Sequence, residues 1–117
     1  MIRYTTDRGL IAVDTEVYTN FAGRAATNCF GVKGMAVRSM TDGLVHLLRS
    51  QAMSKGVKVT FCDDQSIIID LHIIVDRGVN ITAISDAIIS EVKYNVEKST
   101  ETTVQAVNVY VDSICAD

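Results

Sequence analysis

Val57-Lys58-Val59-Thr60-Phe61-Cys62, then Asp63-Asp64-Gln65, then Ser66-Ile67-Ile68-Ile69-Asp70-Leu71-His72-Ile73-Ile74-Val75 sets the architecture of this chain. Two runs rich in β-branched residues flank a short acidic connection, the pattern of an antiparallel hairpin. Side chains alternate along a strand, so Ile67, Ile69, Leu71, Ile73 and Val75 share one face, and Ile68, Asp70, His72, Ile74 and Asp76 the other. The first is a core face and the second is mixed. The run from Val104 to Val111 repeats this asymmetry, with Val107, Val109 and Val111 opposed to Ala106, Asn108, Tyr110 and Asp112.

Outward from the hairpin, Asp76-Arg77-Gly78 is a turn, and Asn80 and Thr82 offer caps to a helix. Its Ile81, Ile84, Ile88, Val92 and Val96 form an apolar stripe, while Ser85, Asp86, Ser90, Glu91, Lys93 and Glu97 point to water. Upstream, Gly56 ends a helix capped by Thr41 or Asp42 and carrying Leu44, Val45, Leu47, Leu48 and Ala52. Val32 to Arg38 reads as a strand. Before it, a helix capped by Asp14 or Thr15 carries Val17, Phe21, Ala25 and Cys29 and stops at Gly31, and Gly9 to Val13 is the first strand. The order β-α-β-α-β-β-α-β predicts an α+β two-layer sandwich, a mixed and mostly antiparallel sheet with helices on one face. One domain is expected over residues 1–117, with its core at about 9–114.

Composition narrows the function. With 48% hydrophobic residues and a mean hydropathy of +0.22, the 117-residue chain can bury a core without disulfides or metals, which excludes disorder. Eleven Lys and Arg against 14 Asp and Glu give a net charge of −3, opposite to the basic footprint of a chain that binds phosphate backbones. Cys29, Cys62 and Cys115 form no CxxC pair and are odd in number, which fits reduced thiols in a cytoplasmic protein. No apolar run approaches the ~20 residues that span a bilayer, so any membrane association is expected to be peripheral or through a partner.

The mixed sheet face, with Ile68, Asp70, His72, Ile74, Asn108 and Tyr110, is the candidate interaction surface. Replacing Ile74 or Tyr110 with a charged residue is expected to weaken self-association and leave the fold intact. Asp70 and His72 share that face, but His46 lies on a separate element and spacing fixes no third ligand, so no metal site is assigned. Cys29 and Cys62 read as small packed hydrophobes, and Cys115 as an incidental thiol. Asp63 and Asp64 read as a solvated turn. Phosphate-loop, dinucleotide and GxSxG motifs are absent, so neither an enzyme nor a cofactor is expected. Gly31-Val32-Lys33-Gly34 matches the GxxG pattern that clamps nucleotide backbones in KH modules. There the loop joins two helices; here a strand follows, which favours a helix stop at Gly31 and a close-packed strand position at Gly34.

Ser54-Lys55-Gly56-Val57-Lys58-Val59, Ile69-Asp70-Leu71-His72-Ile73-Ile74-Val75, Gly78-Val79-Asn80-Ile81, Val92-Lys93 and Val107-Asn108-Val109-Tyr110-Val111 together resemble the alkaline shock protein family, also called the envelope stress response family. Gly9-Leu10-Ile11-Ala12-Val13 and Gly31-Val32-Lys33-Gly34-Met35 are similar to its opening strand and Gly-Val signature, extending the resemblance over roughly residues 9 to 114. Ser99-Thr100-Glu101-Thr102 departs from it, since family members usually carry Thr-Gly after the last helix, and Thr102 in place of glycine bears on the tightness of that turn. The resemblance is to the small single-domain subgroup. It implies a cytoplasmic, non-enzymatic protein of Gram-positive-type bacteria, without a cofactor, acting in envelope homeostasis as a self-associating scaffold or adaptor. Its partner would be a membrane-anchored protein. Two alternatives stand beside this: a regulatory partner of a fatty-acid or lipid metabolic enzyme, and an RNA-binding module using Gly31, Lys33 and Gly34.

Overall fold

The structure is a computed structural model that describes residues 2–38, 45–47 and 55–115. The elements run β1 (Ile2–Thr6), β2 (Gly9–Val13), α1 (Thr15–Thr27), β3 (Val32–Arg38), β4 (Val45–Leu47), β5 (Val57–Phe61), β6 (Ile67–Val75), α2 (Ile81–Thr100) and β7 (Val104–Ile114). The architecture is the expected α+β sandwich, with both helices on one sheet face. β6 is its axis. One edge of β6 pairs antiparallel with β5 along its first half and with β3 along its second, while β7 lies parallel along the whole of the other edge. β4 extends the sheet beyond β3.

Backbone parity explains how one strand serves three. Cys62 N–H donates to Ser66 C=O and Asp76 N–H to Gly31 C=O, on the β5 and β3 side of β6. Ile67 N–H donates to Thr103 C=O and Cys115 N–H to Val75 C=O, on the β7 side. Even-numbered residues of β6 therefore bond toward β5 and β3, and odd-numbered ones toward β7. The odd-numbered side chains form the core: Ile67, Ile69, Leu71, Ile73 and Val75 are all 0% exposed. Ile84, Ile88, Val92 and Val96 of α2 pack against them, as the stripe predicts, whereas Ile81, expected with them, is exposed at the first position of the helix.

Four local expectations are corrected. Residues 45–47 are extended, not helical, because Val45-His46-Leu47 alternates apolar and polar and completes a ladder with Ala36, Val37 and Arg38. The rest of that expected helix lies outside the described residues. Ile2–Thr6 is an additional strand, and it pairs with Gly9–Val13 in a separate two-stranded sheet. α1 buries Tyr18, Ala22, Gly23, Ala25 and Ala26, a stripe rotated from the one expected, and leaves Val17 and Phe21 exposed. Small side chains on the buried side allow close approach, so a stripe of large residues is the wrong signal here. Glu97 does not simply face water: its carboxylate accepts from Val104 N–H at 2.9 Å and fixes the start of β7.

The departure at Ser99-Thr100-Glu101-Thr102 has a structural role. Glu101 takes the left-handed conformation, φ 56°, that ends α2, and Thr102 is buried just beyond it. The Thr102 hydroxyl lies 2.7 Å from the Tyr4 hydroxyl and 2.8 Å from that of Tyr18, joining β1, α1 and the end of α2. A glycine there could make neither contact. Burial pushes the Tyr18 phenol above its ordinary value, and the Thr102 bond offsets part of the shift. A phenol that holds its proton more tightly when folded contributes fully below about pH 10, and its contribution is lost as pH rises through the folded value. Thr102→Val keeps the shape but turns a methyl group toward the Tyr18 hydroxyl. It is expected to lower the free energy of unfolding by about 1–3 kcal/mol, read by urea denaturation. An unchanged midpoint would show that these hydroxyls do not fasten the three elements.

Candidate functional site

The outer sheet face is built by the register of β6 against β7. Asp70 lies opposite Asn108 and His72 opposite Tyr110, so residues two apart on each strand meet as pairs. Asn108 Nδ2 donates to Asp70 Oδ1 at 2.8 Å. The His72 imidazole stacks on the Tyr110 ring, with centroids 4.8 Å apart and planes 13° from parallel. A break in register between Ile73 and Ile74 leaves Asp112 without a cross-strand partner, and its Oδ2 lies 3.0 Å from His72 Nδ1. Asp112 thus orients the ring, and either the Nδ1–H tautomer or the imidazolium donates. The His72 side chain is 41% exposed and Tyr110 is 46% exposed.

Five of the six expected surface residues are where the alternation places them: Asp70, His72, Asn108 and Tyr110 form the paired set, and Ile68 is half-buried beside it. Ile74 is different. It is 7% exposed, opposite Gly34 and Ser113, and belongs to the packed interior. Asp112 is the residue of this site that sequence reasoning did not select. Alternation places it on this face with Asn108 and Tyr110, and the extra residue that β7 accommodates there leaves it free to reach His72.

A cleft of about 390 Å³ opens beside the set, lined by Ala36, Lys55, Gly56, Val57, Lys58, His72 and Asp112. The His72–Asp112 pair supplies two donor groups, where zinc sites use at least three protein ligands. Among the described residues no three His, Cys, Asp or Glu side chains converge. Nor is a thiol activated at Cys29: burial, with the Glu91 carboxylate adding to it, pushes that thiol up, and its Sγ lies 3.4 Å from Ala25 C=O. In the acidic turn the Ser66 hydroxyl donates to Asp64 at 2.5 Å, and with the Ser66 N–H it holds that carboxyl below its usual range. Asp64 is a turn brace.

The GxxG segment is a helix-to-strand junction. Gly31 has φ +89° and its C=O accepts from Asp76 N–H at 2.8 Å, and Gly34 is buried within β3 at a register shift. Lys33 is exposed beside it. No loop between helices is formed. At the helical layer, Ile11, Val13, Val17 and Phe21 line a second depression with Tyr4 and Lys98, although the expected α1 stripe puts Val17 and Phe21 inside.

Two uncharacterized proteins match almost end to end. YloU of Bacillus subtilis (strain 168) is 36% identical over 114 residues, covering 97% of this chain and 94% of that protein. Spy1614 of Streptococcus pyogenes serotype M6 is 37% identical, covering 97% and 93%. Among solved structures, MamM-CTD 215-293 superposes with a TM-score of 0.51 at 17% identity, over 86% of this chain and 99% of that one. The copper form of the MamM CTD gives 0.50 at 17%, over 85% of each chain. At that identity the likeness is one of fold. The family model for alkaline shock protein 23, described as having a cell envelope-related function, matches residues 3–116, and with relatives of this similarity the chain belongs to that family.

Proposed function

We propose that this protein is a non-enzymatic scaffold or adaptor in cell-envelope homeostasis, which self-associates and receives a protein partner on the outer face of its sheet. The carrying observation is the ordered, solvent-facing set of His72 stacked on Tyr110, Asp112 behind His72, and Asp70 bonded to Asn108. A stacked aromatic pair held by second contacts is a rigid, amphipathic platform that loses little entropy when covered. Stacking and pairing consume the local polar groups in structural bonds, which suits a contact surface better than proton transfer. Family membership supplies the envelope setting, and no described helix is long and apolar enough to cross a membrane, so a membrane-anchored partner would bring the chain to the envelope.

The test is a photo-crosslinking amino acid at position 110, activated in cells, with membrane and soluble fractions analysed separately by mass spectrometry. One membrane protein dominating the adducts, lost when His72→Ala is added to remove the stack, is the expected result. Tyr110→Lys in the otherwise native protein should reduce capture of that protein by about tenfold or more with the melting temperature within a few degrees. A soluble lipid-metabolic enzyme dominating the adducts would replace the adaptor reading with a regulatory one. Adducts spread over unrelated proteins would remove the face from consideration.

A further inference from the structure

The other edge of β7 is long and open. Among the described residues β7 pairs with β6 alone, although it is an 11-residue strand. Natural sheets blunt such edges with Lys, Pro or short strands. Val104 to Ile114 contains no Lys, Arg or Pro, and its single charge, Asp112, is turned back onto His72. The core face also runs out here: the odd-numbered β6 residues are 0% exposed, whereas Val109 and Val111 are only partly buried.

The hydrogen-bond parity identifies which groups are free. Odd-numbered residues of β6 bond toward β7, and Ile69, Leu71 and Ile73 lie opposite Val107, Val109 and Val111. In a parallel ladder a residue that bonds across engages the two neighbours of its opposite number. Asn108 is therefore engaged by Ile69 and Leu71, and Tyr110 by Leu71 and Ile73. This leaves the N–H and C=O of Val107, Val109 and Val111 directed away from β6. Register shifts on either side, at the Ile67/Ile68 and Ile73/Ile74 steps, bound this regular segment, whose free groups are centred on Val109.

We infer that the β7 edge pairs antiparallel with β7 of a second copy of this chain, about a twofold axis at Val109. That axis gives complete overlap of Val104–Ile114 with itself. It sets Val109 against Val109 and Val107 against Val111 as hydrogen-bonded pairs, and Asn108 against Tyr110 as the closer non-bonded pair. Asp112 meets Ala106 and not another Asp112. The two sheets become one, the partly buried valines of each copy extend the other's core, and the outer face remains available to a partner. The inference rests on the self-association in the proposed function and names its surface.

Val109→Pro is the discriminating variant, because it removes an outward N–H and leaves the β6 ladder its donors, a placement that edge strands accept. In sedimentation equilibrium the wild type should be a dimer. Val109→Pro should raise the dissociation constant by about 100-fold or more while keeping the far-UV circular dichroism. Should that variant fail to fold, an equal mixture of Asn108→Cys and Tyr110→Cys chains, mildly oxidised, reads the register directly. Peptide mapping should find 108 joined to 110 between chains, well above 108 to 108 or 110 to 110. A dimer with neither proline sensitivity nor this link overturns the β7 edge and leaves self-association standing. A wild type that stays monomeric at about 100 µM overturns both.

Discussion

Ile74→Asp is expected to lose about 3–6 kcal/mol of stability and to move the denaturation midpoint far below that of the wild type. An isoleucine removed from an interior site forfeits about 1.5–3 kcal/mol of burial, and a carboxyl placed there adds a desolvation cost of similar size even if it takes up a proton. Ile74 is 7% exposed between Gly34 of β3 and Ser113 of β7, and the loss is a large fraction of the roughly 5–15 kcal/mol that holds a typical domain together. Guanidinium denaturation monitored by circular dichroism measures it. A folded Ile74→Asp with native stability and weakened self-association would instead restore Ile74 to the contact surface. The comparison with Tyr110→Lys is informative because the two residues lie on the same sheet face and differ in depth.

Gly31→Ala should cost about 2–5 kcal/mol, for two separable reasons. The left-handed conformation at φ +89° is adverse to any residue with a Cβ by about 1–2 kcal/mol. That Cβ would also collide with Ile84 Cδ1 and lie 3.2 Å from Val79 Cγ1, forcing Ile84 off its rotamer or the start of α2 to shift, and overpacking of this kind costs about 1–3 kcal/mol more. Lys33→Ala, on an exposed side chain two residues later, should stay within about 0.5 kcal/mol of wild type. Thermal denaturation of the pair separates a structural glycine from a ligand-clamping one. Wild-type melting of Gly31→Ala would mean the junction tolerates a Cβ, and the GxxG segment would then merit a salt-dependent RNA titration. The expected order, with Gly31 severe and Lys33 silent, assigns the motif to the backbone.

The hairpin over residues 57–75 was legible because its signal is local: alternation, a polar turn, and β-branched residues all agree. α2 was legible for the same reason, apolar residues at helical spacing with an Asn80 cap that accepts from Ala83 N–H at 3.0 Å. α1 was placed but rotated, since Ala22, Gly23 and Ala26 mark a buried side by being small, which hydropathy does not distinguish from a neutral surface. Val45–Leu47 shows tertiary override: three residues compatible with either state take the one that a free β3 edge rewards. The candidate site was legible at Asp70, His72, Asn108 and Tyr110 through strand parity alone. Asp112 was legible as an outer-face residue, but its contact with His72 was not, since that follows from the register break between Ile73 and Ile74; Ile74 keeps the face that alternation gives it and is buried there, which strand parity does not mark.

The position of β6 between all its partners also orders events during synthesis. β5 is available as soon as β6 is made, but β7 arrives only after α2, so the apolar Ile67–Val75 segment emerges with one edge unmatched. At about 5–20 residues per second, that nascent strand waits on the order of a few seconds for its parallel neighbour. Through that interval it is the segment of the chain that chaperones have most reason to shield, and crowding among ribosomes translating the same message would bring such strands close to one another.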